Sequence, residues 1–199
     1  MNIKYKIEFH TDWHCGSGLA AGADVDALVV KDEKGMPFIP GKTIKGLVRE
    51  AVEEIRGFQG KQDAEAFVKA FGFFDNKEQK EKGCMFFTNA TLEQKKEQDE
   101  ELKEYDIIVS NNAARFMYRD IASTAIDNDG IVKEHSLRKM EVVVPCTLYG
   151  EILNIPDGMA DEIIQSFGFI KRMGQNRNRG LGRCTITVVE RKEEDNDNA

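Results

Sequence analysis

PGKTIKGLVREAVEEI (residues 40–55) decides the fold, because it reads as a helix and limits what its neighbours can be. Ile44, Leu47, Val48, Ala51, Val52 and Ile55 recur at spacings of three and one, which is one face of a 3.6-residue period. Pro40 and Gly41 introduce the segment. Lys42, Lys45 and Arg49 occupy the remaining surface of its first half, and Glu50, Glu53 and Glu54 follow. Bases early and acids late oppose the helix macrodipole. A helix built for stability alone would reverse them, so the early cations point to another job.

Upstream, Ile3, Tyr5, Ile7 and Phe9 alternate with Lys4, Lys6 and Glu8, the period of a half-buried strand. CGSGLAAGAD (15–24) ends it, DALVV (26–30) is a short apolar run, and KDEKGMP (31–37) carries turn chemistry. Downstream, residues 57–83 are charged and glycine-punctuated around FGFF (71–74), with a short helix predicted at 63–71. CMFFTNATL (84–92) predicts a strand and EQKKEQDEELKEYD (93–106) a solvated insertion. Residues 107–139 predict a hairpin excursion turning at DNDG (127–130). Residues 141–155 predict one long strand, with Pro145 marking an edge or bulge. Residues 157–174 predict a helix burying Met159, Ile163, Ile164 and Phe167. A closing strand at 183–190 and a disordered acidic tail at 191–199 complete the chain. Strand, helix, strand, strand, helix, strand is the α+β, ferredoxin-like βαββαβ arrangement shared with RNA-recognition modules. The expectation is a single domain over 1–199, with insertions at 57–83 and 93–106.

Composition narrows the functional class. The chain has 199 residues, 41% hydrophobic with twelve Phe, which excludes a wholly disordered protein. No apolar run approaches the roughly 18 residues of a spanning helix, and the start lacks the apolar block of an export signal. A cytoplasmic protein with no membrane partner is therefore expected. Cys15, Cys84, Cys146 and Cys184 lie far apart and form no CxxC pair, so they are expected to be reduced and mostly packed. The net charge of −7 resides wholly in residues 75–106 and 190–199. Within the balanced remainder, KRMGQNRNRGLGR (171–183) holds five bases and no acid. An acidic total is thus compatible with a nucleic-acid partner met by a local basic face.

Four constellations invite chemistry. GMPFIPGKT (35–43) is not a phosphate-cradling P-loop: five residues separate Gly35 from Gly41–Lys42 where four are needed, and two are prolines without an N–H. The helix start and Lys42 still suit a phosphodiester. His10, Asp12 and His14 would share a face of a continuing strand and could hold a metal. Local hydrogen bonding is the simpler reading, because no second ligand cluster supports a site. In GQNRNRGLGR (174–183), glycines permit close approach of phosphates, Arg177, Arg179 and Arg183 offer planar guanidinium forks, and Asn176 and Asn178 suit sugar or phosphate. Such a turn can be purely structural, but beside the last strand of an RNA-recognition topology it points to RNA. Asp24 and Asp26 either cap a turn or hold a hydrated divalent ion beside a phosphodiester, a role that suits Mg²⁺.

HCGSG after the first strand, DALVVKDEKGMPFIPGKTIKGLVREA (26–51), STAIDNDGIVKEHSLRKMEVVVP (123–145) and NRGLGRC (178–184) together resemble the RAMP superfamily of CRISPR proteins. They are most similar to the small backbone subunits of type III effector complexes. The resemblance implies a palm that stacks with other copies of itself and further effector subunits along a guide RNA. It also implies a hairpin thumb, over about 107–139, that distorts the guide–target duplex. By motif position, Asp26 is the residue that cleaves target RNA with a divalent metal, Mg²⁺ by the chemistry above. Lys45 and Arg49 match positions that hold guide phosphates, and Arg179, Gly180 and Gly182 match the glycine-loop positions. Lys42, Asn176, Arg177 and Arg183 join them as expected RNA-binding residues. The chain departs from the pattern at Leu28, where catalytic relatives often carry proline, and at Asn128, where the family carries arginine. A metal-dependent endoribonuclease acting on guide-paired RNA is the expectation. Its alternatives are a non-catalytic guide-binding subunit, a guide-processing nuclease using His14 or His135 without metal, and a ligand-binding domain that meets no nucleic acid.

Overall fold

The computed structural model describes residues 1–21, 24–61, 64–74, 80–92, 108–109 and 112–193. The predicted insertion at 93–106 and the tail from residue 194 lie outside them, as do 107, 110 and 111 of the stretch assigned to the thumb. Strand β1 (Asn2–Phe9) buries Ile3, Tyr5, Ile7 and Phe9 as the alternation requires. Helix α1 (Gly41–Gln59) adds Ile44, Val48, Ala51 and Val52 to the same core cluster. The Ile and Val side chains contribute roughly 1.5–3 kcal/mol each on full burial. The Gly41 N–H donates to Asn89 Oδ1 at 3.0 Å, so a distant side chain caps a helix whose own N-cap, Pro40, cannot. Gly60, left-handed at φ 65°, ends it.

Helix α2 (Ala64–Phe71) leads into a small hairpin of β2 (Gly72–Phe74) and β3 (Lys80–Lys82). Phe71 is buried and stacks at 6.5 Å on Phe87 of β4 (Phe86–Phe87), so the region predicted as an insertion at 57–83 also contributes to the core. Then come β5 (Tyr118–Ser123), β6 (Arg138–Val143), β7 (Thr147–Leu153), α3 (Ala160–Phe167) and β8 (Cys184–Lys192). The main sheet runs β4-β7-β1-β8, antiparallel at every junction. With α1 and α3 packed on one face, this is the ferredoxin-like palm. Arg56 of α1 and Glu162 of α3 tie the two helices at 3.1 Å in a nearly buried pair, and Lys61 adds a 2.7 Å contact to the same carboxylate. No helix among the described residues is long and apolar enough to cross a membrane.

Several expectations need correction. The predicted strand at 141–155 is two: Pro145 falls in the break between β6 and β7, and only β7 enters the palm sheet. The predicted helix at 157–174 stops at Phe167. Ile170 and Met173 keep helical spacing, yet Arg172 bridges Arg183 and the Met173 N–H donates to Gly182 O at 2.9 Å, so this stretch is the near side of the glycine loop. Ile164 is only partly buried, unlike Met159, Ile163 and Phe167. Regular pairing within 84–92 is confined to Phe86 and Phe87. Arg191 and Lys192, predicted as tail, pair with β1 in β8. Cys84 is exposed rather than packed, while all four cysteines are free.

Strands β5 and β6 form a hairpin outside the palm sheet, from Tyr118↔Val143 to Ser123↔Arg138. Its turn is held by Asp127, whose Oδ1 accepts from the Asp129 and Ile131 amides at 3.0 and 2.8 Å. The base is anchored: Trp13 and Val143 exchange backbone bonds, Asp12 pairs with Arg119, and the Tyr118 hydroxyl donates to Gly35 O at 2.6 Å. Burial, with Glu141 nearby, pushes the Tyr118 phenol well above its ordinary range. The outer part exposes Ile126, Ile131, Val132 and Leu137.

Candidate nucleic-acid interface

Residues 26–31 run along β6 rather than forming a strand of their own. The Asp26 N–H donates to Lys139 O at 2.9 Å, and the Lys139 N–H donates to Asp26 Oδ2 at 2.8 Å. Farther along, Glu141 N–H donates to Ala27 O, and Glu141 Oε2 accepts from the Val29 amide at 3.0 Å. These bonds fix the backbone and leave Asp26 exposed, with Oδ1 without a partner among the described residues.

The glycine loop faces it. Gln175 N–H donates to His14 O, and Gly182 N–H donates to Asp12 O at 2.7 Å, so both ends of the loop rest on residues 12–14. Close packing demands glycine at both ends: a Cβ on Gly174 would stand 2.2 Å from His14 O, and one on Gly182, at φ 70°, only 1.8 Å from Met173 O across the loop. Between them Asn176 is left-handed at φ 54°, and Arg177–Arg179 make one 3-10 turn. Asp26, Arg138, Lys139, Asn176 and Arg179 thereby line one open cleft of about 420 Å³. Arg138, Lys139 and Arg179 are exposed, and none pairs with an acid among the described residues. Three unpaired cations and one carboxylate in the same open cleft suit a phosphodiester backbone better than a neutral ligand.

The other predicted residues divide. Gly182 and Gly180 shape the loop. Arg183 is exposed on its far strand, its N–H bonded to Thr11 Oγ1. Arg177 turns away from Asp26 toward α1. Lys42, Lys45 and Arg49 do not line the Asp26 cleft. Lys42 is exposed near Cys15, where it partly opposes the upward push of burial on that thiol. Burial, and secondarily Arg49, pull the Lys45 ammonium below its ordinary pKa. Arg49 is held by Glu53 at 3.0 Å and lies over the Phe67 ring at 5.5 Å, on the flank of α1 that faces α2. Sequence reasoning missed Arg138 and Lys139. Their signal is RK on the returning strand of a hairpin, legible only once that strand is known to pair with the segment that holds Asp26.

His10, Asp12 and His14 do not converge, because the chain leaves the sheet after Phe9. His10 contacts Thr185 Oγ1 at 2.8 Å, Asp12 is buried against Arg119, and His14 is buried with Nδ1 2.6 Å from Glu141 O. No group of three or more His, Cys, Asp or Glu among the described residues could hold a metal. Asp26 therefore offers one carboxylate, not a cage. One carboxylate suits the mode of Mg²⁺ that keeps most of its waters and borrows substrate phosphates.

The sequence model of the RAMP superfamily matches residues 6–185. No curated protein matches the chain. Among solved structures, a chain of the type III-B Cmr-beta complex bound to cognate target RNA superposes with a TM-score of 0.69 at 13% identity, covering 94% of this chain and 97% of that one. A chain of the apo type III-B Cmr-beta complex gives 0.66 at 14%, covering 96% and 98%.

Proposed function

The chain belongs to the RAMP superfamily, and from that premise we propose that it is a guide-RNA-binding subunit of a type III CRISPR effector complex, working in the cytoplasm, that cleaves guide-paired target RNA at Asp26. The observation that carries this reading is the cleft itself, where an exposed carboxylate with a free oxygen stands among Arg138, Lys139 and Arg179. Similarity to a Cmr-beta chain solved with target RNA supports RNA and other effector subunits as partners. The β5–β6 hairpin is the thumb, and its exposed Ile126, Ile131, Val132 and Leu137 suit an apolar wedge that unstacks the guide–target duplex.

RNA carries its own nucleophile in the 2′-hydroxyl, so the protein has to align it and offset developing charge. The cations hold the phosphates on either side of the scissile link, and the thumb bends the backbone between them. Asp26, fixed by its two bonds to Lys139, presents Oδ1 to the bent link. A hydrated Mg²⁺ held by Asp26 would supply Lewis-acid stabilisation of the phosphoryl oxygens. The solitary carboxylate and the absence of a ligand cluster among the described residues favour one second reading, a guide-binding subunit that does not cut.

Binding of guide-length single-stranded RNA across a salt series tests the shared part of both readings. Arg179→Ala and Lys139→Ala should each weaken binding and flatten the slope of log K against log salt by roughly 0.7 per lost phosphate contact. Unchanged slopes in both variants would remove this cleft from the RNA path.

A further inference from the structure

The glycine loop has a second side. Asn176 and Arg179 line the Asp26 cleft, whereas Arg177 and Asn178 line a separate cleft of about 330 Å³ between the loop and α1. Its lining gathers Glu50 and Glu54 from α1, Lys171, Arg172 and Arg177 from the loop side, and Phe169. Phe169 is 46% exposed, although Phe167 and Ile170 on either side are buried. Arg172 is set in place by a hydrogen bond from Nη1 to Arg177 O. Both signs of charge are present, yet among the described residues no ion pair joins Glu50 or Glu54 to Arg172 or Arg177.

An isolated exposed Phe needs no explanation. An exposed ring in a cleft that also gathers two carboxylates and two guanidiniums with no ion pair between them does, because the carboxylates and the Arg177 guanidinium keep hydrogen-bonding capacity for a ligand. A nucleotide fits all three features. Its base stacks on Phe169, its phosphate meets Arg172 and Arg177, and amino groups on its edge donate to Glu50 or Glu54.

We infer that this cleft binds one unpaired, amino-bearing nucleotide of single-stranded RNA, stacked on Phe169. The inference rests on the RNA-binding reading above and adds a base-selective contact on the opposite side of the loop. Uracil, whose edge is mostly carbonyl oxygen, is disfavoured by the carboxylates, and cytosine, which carries an amino donor on a ring of the same size, is accepted.

The test is equilibrium binding of cytidine and uridine 12-mers to the full chain at fixed salt. The wild type should prefer the cytidine oligomer several-fold. Phe169→Ala should weaken cytidine binding on the order of tenfold, and Phe169→Tyr should retain it. Glu50→Ala combined with Glu54→Ala should erase the preference. Wild-type affinity in Phe169→Ala, or a preference surviving the double substitution, would overturn the inference. Altered self-association of Phe169→Ala with unchanged RNA affinity would overturn it too, by making this a protein contact. If Arg179→Ala weakens binding while Phe169→Ala does not, this cleft fails and the functional reading stands. If the wild type binds neither oligomer, that reading fails with it.

Discussion

Asp26→Ala, placed in every copy of an assembled guide-loaded complex, is expected to cut the rate of target cleavage at the regular positions on the order of 100- to 1,000-fold, with target occupancy unchanged. The reason is geometric. Asp26 is the one carboxylate lining a cleft that also holds Arg138, Lys139 and Arg179, and its Oδ1 has no competing partner among the described residues. Alanine also removes the acceptor for the Lys139 amide, so Asp26→Asn separates the two effects. Asparagine can still accept that N–H and keep residues 26–31 on β6, but it carries no charge. The account predicts that asparagine is as inactive as alanine in a single-turnover cleavage assay. Cleavage at wild-type rate in both would leave the non-catalytic reading standing.

Gly182→Ala is expected to have the largest effect on the fold of the site. Gly182 sits at φ 70°, its carbonyl accepts from Met173 N–H and its own N–H donates to Asp12 O. A methyl group there would stand 1.8 Å from Met173 O, so those bonds cannot both survive. Backbone strain, the clash and at least one lost hydrogen bond together should cost about 3 kcal/mol or more. Gly180 provides the internal control. It is also left-handed, at φ 92°, but a Cβ there meets nothing within 4 Å. Gly180→Ala should cost only about 1–2 kcal/mol. Denaturant unfolding separates the two variants, and equal losses would show that Gly182 is not pressed against Met173 as described.

The palm was legible because its signals are periodic. The alternation of β1 and the 3.6-residue stripe of α1 each point one face inward, and those faces meet in the core. What failed was punctuation and long-range pairing. Pro145 reads as an edge or bulge within one strand because sequence does not reveal that β6 leaves the sheet to pair with β5. Ile170 and Met173 mimic a helix because the Met173–Gly182 bond joins residues that are close only after the loop folds back. The site divides the same way. Asp26 and Arg179 were accessible from motif order, whereas Arg138 and Lys139 enter only through the pairing of residue 26 with residue 139. Lys42, Lys45 and Arg49 share a helix face, as the period requires; along it Lys42 lies near Cys15, Lys45 near Cys84 and Arg49 over Phe67 of α2.

The most direct measurement is the path of the RNA across this surface. Target RNA carrying 4-thiouridine beside a regular cut position, paired to the guide in an assembled complex, is irradiated and the crosslinked peptides are mapped. The account predicts adducts in residues 175–181 and 138–140, the two walls around Asp26. Adducts confined to the α2-facing flank of α1, or to the open face of the palm sheet, would contradict it.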